Sequence, residues 1–132
     1  MMLMSLMLLA AAAQEPEIDC ENAQYQVEMN LCAGKDYDAA DAALNAQWKV
    51  TVAALKARDK TIDRSYDSQP THFDTLLAAQ RAWITYRDQH CLSESFAARG
   101  GSMAPMLHSG CMARLTKERT EELQELLDWA SL

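Results

Sequence analysis

Apolar residues recur at helical spacing along most of the chain. Tyr37, Leu44, Trp48, Val52 and Leu55 step by 7, 4, 4 and 3, which lines up one face of a helix. They predict a helix over Asp36 to Arg58, with Asp36, Asp38 and Asp41 opening it and Lys56 and Arg58 closing it, the charge order that suits the helix dipole. Leu77, Ile84 and Cys91 lie seven apart, and Phe73, Leu76, Gln80, Trp83 and Arg87 form the adjoining stripe. These predict a helix over Phe73 to Ala98, ended by Gly100-Gly101. Cys111, Leu115, Arg119, Leu123 and Leu126 give the inner face of a further helix, from Met103 or Ser109 to Trp129. Ser102 or Ser109 would cap it, and Pro105 fits only in a first turn. A short helix over Asn22 to Cys32, stopped by Gly34, would come before all of these. Between Asp59 and His72 the chain is polar and holds Ser65, Asp67, Ser68 and Pro70. It reads as a loop with one helical turn near Ile62.

Glycine and proline number only four and three, and alternating β-branched runs are absent. The expected fold is therefore all-α: a small antiparallel bundle of about four helices, one short and three long, with two disulfides. A chain of 132 residues suggests a single domain. Residues 1–13 are apolar except for Ser5. That run is shorter than the roughly 20 residues a membrane-spanning helix needs. It has the look of a secretory signal, with Ala11 and Ala13 placed for cleavage, although no Lys or Arg precedes it. Residues 14–132 would then be the mature helical domain, periplasmic or secreted and not membrane-bound.

Four cysteines, Cys20, Cys32, Cys91 and Cys111, behind such a leader favour two disulfides in an oxidising compartment. Cys91 lies ten residues before Gly101 and Cys111 ten after it. In a symmetric hairpin turning at Gly100-Gly101-Ser102 the two face each other, so a bridge is easy to make. Cys20 would then pair with Cys32. Twelve helical residues would hold those two about 18 Å apart, so Cys20 must lie outside the helix and fold back. The other solution bonds Cys20 and Cys32 to Cys91 and Cys111 and staples the first helix onto the hairpin. The local pairing is the favoured one. His108 and Cys111 at i, i+3, with His90 beside Cys91, form a conceivable zinc set. No C-x-x-C pair accompanies them, and the expectation is no metal and no cofactor.

The net charge is −7, which argues against nucleic acid and anionic membranes as partners and permits a basic one. Glu15, Glu17, Asp19, Glu21 and Glu28 all precede the first base, Lys35. Polar residues also fall on apolar stripes. Asp41 and Asn45 lie one turn apart, Gln80 and Arg87 flank Trp83, Asp88 follows, and Arg119 lies between Leu115 and Leu123. A buried guanidinium needs a partner, so Asp41, Asn45, Gln80, Arg87, Asp88 and Arg119 are expected to form a structural polar network that sets the register of the bundle. An enzyme needs a nucleophile or a tuned acid–base pair. Disulfides would consume the thiols, and His72, His90 and His108 are scattered, His72 in a loop and the others on the surface. The chain is read as a non-enzyme with no catalytic residues.

Five ordered blocks, DCENAQYQVEMNLCA (19–33), DAALNAQW (41–48), AAQRAWITYRDQHC (78–91), GGSMAPML (100–107) and CMARLTKERTEEL (111–123), resemble the LprI-like lysozyme-inhibitor domain of bacterial envelope proteins. Tyr25 departs from that pattern, which has Thr there as the first part of a capping box with Glu28. The resemblance implies a secreted or periplasmic disulfide-bonded helical domain, a protein partner and inhibition of lysozyme. The alternative is an envelope interaction or stress-protection module with no effect on lysozyme. A monomer is expected. Lysozymes work with two carboxylates in a cleft, so a plug would present a cation and hydrogen-bond donors. Arg99, Gly100, Gly101 and Ser102 are the candidate partner-binding loop, and the acidic segment from Glu15 to Glu28 is the other candidate.

Overall fold

The computed structural model describes residues 17–132; the expected leader over 1–13 lies outside them. The described chain is helical and has no strands. It contains three long helices where about four were expected: α1 (Gln26–Asp59), α2 (His72–Ser95) and α3 (Ala104–Ala130), with a single 3-10 turn, Phe96–Ala98, continuing α2. None of them is long and apolar enough to cross a membrane.

The expected first and second helices are one continuous helix of 34 residues, about 51 Å long. Gly34 does not stop it. A glycine that ends a helix usually turns into the left-handed region, and among the described residues only Gly100 has a positive φ. Glycine inside a helix costs about 1 kcal/mol relative to alanine. Contacts on either side of Gly34 offset that cost. Asn30 Nδ2 donates to the Ser102 carbonyl at 2.9 Å, and Lys117 Nζ donates to both oxygens of Asp36 at 2.9 and 3.0 Å. A propensity-level stop signal lost to tertiary packing.

These contacts also set the topology. Along α1, residues 30, 36 and 51 meet residues 102, 117 and 123 in turn. α1 and α3 therefore run parallel, and α2, which lies between them in the chain, runs antiparallel to both, so the bundle goes up, down and up. α1 packs chiefly on α3. Small buried side chains, Ala40 and Thr51 on α1 and Ala113 and Thr116 on α3, leave room for that close pairing. The fully buried Thr51 hydroxyl donates to the Leu123 carbonyl at 2.9 Å. It thereby takes up a carbonyl lone pair that water cannot reach.

The core has two parts. Toward one end Leu44, Leu55, Leu76 and Leu123 are buried together, with Trp48, Val52, Trp83, Leu126 and Ala130 packed against them. Toward the other end the buried set is Cys91, Cys111, Met112 and Leu115, with Tyr37 against it. On α2 the buried residues are Leu76, Gln80, Arg87, Cys91 and Ser95. Of the Leu77–Ile84–Cys91 line only Cys91 is buried, and Ile84 is 41% exposed. The adjoining stripe, which carries two large polar residues, turns inward instead.

The loop between α1 and α2 has no helical turn at Ile62. α2 starts at His72, and Thr71 Oγ1 accepts from the Asp74 N–H at 3.0 Å. At α3, Met103 precedes the helix without a side-chain cap, and Pro105 sits in the first turn, where a missing N–H has no consequence. At α1, Tyr25 also makes no side-chain cap. The other half of the capping box survives: Glu28 Oε2 accepts from the Gln24 and Tyr25 N–H groups at 3.1 and 3.3 Å.

Candidate partner-binding surface

The six residues expected to form one polar network occupy two clusters. Arg87, buried on α2, holds the first. Its Nε donates to Asp88 at 3.0 Å and its Nη1 to Thr116 Oγ1 on α3 at 3.2 Å, and Asp41 on α1 lies 4.0 Å away. Asp41 in turn accepts from Asn45 at 3.3 Å. The guanidinium also lies over the rings of Trp83 and Tyr37, 4.9 and 5.6 Å from their centroids. Arg87 therefore touches all three helices. Asp41 and Asp88 are each only partly covered, so the aromatic faces share the task of compensating the buried cation. Burial pushes the Tyr37 phenol up, against the downward pull of Arg87.

Arg119 holds the second cluster. Its Nε donates to Gln80 Oε1 at 2.9 Å and its Nη1 to Glu122 at 2.6 Å. Thr116 and Glu122 were absent from the expected set. Glu122 carries a local signal, since it lies at i+3 from Arg119; Thr116 carries none. Among the described residues no buried side-chain nitrogen or oxygen lacks a partner. Both clusters are braces, closed on themselves.

At the leucine-rich end His72 departs from its expected place in a loop. It is the first residue of α2, half-buried, with Nδ1 2.8 Å from Asp59 Oδ1. Asp59 also accepts from the N–H groups of His72 and Phe73 at 2.8 and 3.0 Å. Burial works against the Asp59 carboxylate, but these hydrogen bonds and the His72 charge outweigh it and hold the carboxyl below its ordinary value. The His72 ring packs 5.5 Å from that of Trp129, and Arg58 lies over the other ring at 5.2 Å. A cleft of about 410 Å³ opens beside this clasp, with Leu55, Ile62, Leu76, Leu126 and Trp129 among its walls. Thr75 lines it too, but its hydroxyl is committed to the Thr71 carbonyl at 2.9 Å. A histidine and aspartate so arranged join the end of α1 to the start of α2.

The opposite end carries the α2–α3 turn. Arg99 N–H donates to the Phe96 carbonyl at 3.1 Å and Gly101 N–H to Ala98 at 2.8 Å. Gly100, with φ +78°, supplies the left-handed residue the reversal requires. Arg99, Gly100, Gly101 and Ser102 are all exposed, and the Arg99 guanidinium lies 4.3 Å over the Phe96 ring. Cys91 and Cys111 are bonded behind the turn, with Cα atoms 5.4 Å apart.

Cys20 is bonded to Cys32, with Cα atoms 5.6 Å apart. Cys20 lies before α1 and folds back, which brings the segment that precedes the helix alongside its second turn. Asn30 and Gln26 of that helix meet Ser102 and Met106. The acidic segment and the glycine turn, two separate candidates in the sequence, therefore occupy the same end of the bundle. Glu17, Asp19 and Glu21 are exposed there. Asp19 accepts from the Asn22 side chain at 2.7 Å and from the Glu21 N–H at 3.1 Å, which lowers its pKa. Val27, Leu31, Leu92, Phe96 and Met103 are exposed around the turn. Arg99 is the one arginine or lysine between Asp88 and Ala113. The end is thus an acidic and apolar tip with a single cation at its apex.

The structure is thus a disulfide-locked three-helix body with closed polar braces and an exposed, chemically mixed tip. The family model for "Lysozyme inhibitor LprI" matches residues 19–123, and the chain belongs to that family. It is similar to an uncharacterized protein, R02472, of Rhizobium meliloti (strain 1021), with 48% identity over 130 residues, covering 96% of this chain and 94% of the relative. No solved structure matches.

Proposed function

We propose that this protein is an exported inhibitor that binds lysozyme and blocks its cleft with the α2–α3 tip. The leader over residues 1–13 would direct it to the periplasm or the medium. Residues 14–132 would act there as a monomeric, non-catalytic domain. The observation that carries the reading is membership of the lysozyme-inhibitor family over residues 19–123.

The chemistry of the tip supports it. The common lysozymes are basic, and their cleft uses two carboxylates. Arg99 at the apex offers a cation to those carboxylates. The Gly100 N–H and the Ser102 hydroxyl offer donors without bulk. Glu17, Asp19 and Glu21 stand beside it to meet the basic rim, and a net charge of −7 steers the encounter. Exposed Leu92, Phe96 and Met103 supply the apolar contact that a tight interface needs.

A cell-wall lysis assay tests this directly. The full mature chain should slow lysis, and less so as salt is raised. Arg99→Ala with Ser102→Ala should weaken inhibition about tenfold or more, in line with loss of an interface hot spot, and leave the thermal melt unchanged. Full inhibition by the double variant would move the contact away from the turn. No inhibition by the wild type would leave the envelope-interaction module, for which a pull-down from periplasmic extract is the next measurement.

A further inference from the structure

The two disulfides differ in their surroundings. Cys91 and Cys111 are buried, and one side of their bond is flanked by ligand-type side chains. An imidazole nitrogen of His90, a carboxylate oxygen of Glu94 and Cys111 Sγ all lie within 4.8 Å of one another. His90 and Glu94 are one turn apart on α2, with Nε2 and Oε2 3.4 Å apart. Cys91, adjacent to His90, is bonded to Cys111. No other such group of three occurs among the described residues. We propose that reduction of the Cys91–Cys111 bond turns this cluster into a zinc site, with Cys91, Cys111, His90 and Glu94 as its four ligands.

The donor set carries the assignment. Two thiolates, an imidazole and a carboxylate make a soft, mixed set that suits tetrahedral Zn²⁺, with Zn–S of about 2.3 Å and Zn–N and Zn–O of about 2.0–2.2 Å. Oxygen-seeking cations are disfavoured by the sulfurs. Two sulfurs on one zinc stand about 3.7 Å apart at those lengths, and rotation about χ1 of the two cysteines opens that separation. Glu94 is held by Arg114 Nη2 at 2.9 Å, but Arg114 has a second carboxylate, Glu118, at 3.8 Å. Arg114 therefore keeps a partner when Glu94 turns to the metal. The His90 and Glu94 side chains are each 41% exposed, which gives an ion a way in to the buried sulfurs. Tyr86 stacks on His90 with centroids 5.3 Å apart and holds the ring in place. His108 is not part of the cluster.

The chemistry balances with a dithiol protein as the reductant. Its two thiols become a disulfide, the Cys91–Cys111 bond breaks, and two thiols form. Zinc then displaces their two protons to solvent. In the intact disulfide neither sulfur can ligate as a thiolate, so zinc binding and the crosslink exclude each other.

The test uses the full chain carrying Cys20→Ser and Cys32→Ser, so that only one pair titrates. It is reduced with a trialkylphosphine, which with one water becomes the phosphine oxide and does not itself compete strongly for zinc. Co²⁺ is then added as the probe, and Zn²⁺ is used to displace it. The expected result is one Co²⁺ per chain, a thiolate-to-cobalt band in the near ultraviolet and the visible bands of a tetrahedral ion, all erased by Zn²⁺. The oxidised chain should show none of these. His90→Ala and Glu94→Ala should each weaken binding about tenfold or more, by analogy with the cost of altering a metal site's supporting groups, and His108→Ala should not. If the reduced chain unfolds, helicity regained on adding Zn²⁺, and lost with His90→Ala, supports the site equally. Absence of a cobalt spectrum in the reduced chain, or binding indifferent to both His90→Ala and Glu94→Ala, overturns the proposal.

Discussion

The two ends of the bundle hold the same three helices together by different means. At one end four leucines and two tryptophans close a conventional apolar core. At the other, the buried set is two half-cystines, a methionine and a leucine, and several large apolar side chains face outward. Crosslinks there take over part of the work that burial does at the first end. A disulfide acts mainly by restricting the unfolded chain. It asks little of the surface around it, and side chains such as Phe96 and Leu92 stay available for contact with something else.

The largest effect expected from a single change is at the leucine end. Leu123 is fully buried, so Leu123→Ala should cost about 2–5 kcal/mol, read as a lower urea midpoint. Replacing Cys91 and Cys111 by serine should cost about 3 kcal/mol, the chain-entropy value for a loop of this size. The comparison is sharpened by where the loss falls. Amide exchange in that variant should quicken around the α2–α3 turn and the first turns of α1, while the amides near Leu44 and Leu123 keep their order of protection. Uniform acceleration would mean that the two ends do not differ as described.

Asp59 gives an intermediate effect with a definite pH sign. Its folded pKa lies below the unfolded value of about 3.9. The stability it contributes is therefore fully present above that value and is lost as pH falls through the lower folded one. Asp59→Ala should cost about 1.5–3 kcal/mol at neutral pH, the range for hydrogen bonds to a charged group. It should also flatten the fall in urea midpoint between neutral pH and strong acid; an unchanged slope would remove Asp59 from the account. The smallest effect is at the tip. Tyr25→Thr should restore the missing side-chain cap beside Glu28 and raise stability by about 0.5–1 kcal/mol, seen as a modest rise in Tm.

Arg87 and Ile84 mark how far the sequence could be read. Both lie on α2 and both belong to a stripe with apolar members. Periodicity identified both stripes and placed Arg87 in a polar network, but it did not rank which stripe turns inward. The choice was decided by what lies opposite. Trp83, one turn before Arg87 on the same stripe, supplies one ring face; Tyr37 on α1 and Thr116 on α3 supply the second ring face and a hydroxyl, and no pattern along α2 announces those two. Gly34 is a similar case, in which contacts some seventy to eighty residues away overrule a local stop signal. The His72–Asp59 clasp was illegible for the same reason: its members stand thirteen positions apart, across a mostly polar stretch of chain.

By itself the sequence determined the helical character of the chain, the α2–α3 hairpin with its turn at Gly100-Gly101, and the faces on which cysteines and arginines stand. These follow from backbone propensity and a 3.6-residue period, which are local. Only the tertiary structure decided that α1 is unbroken and parallel to α3. It alone selected the inward stripe of α2 and brought the acidic segment to the glycine turn. Those outcomes depend on which surfaces fit when three helices pack, and packing energy belongs to pairs of residues far apart in the chain, so no single stretch encodes it.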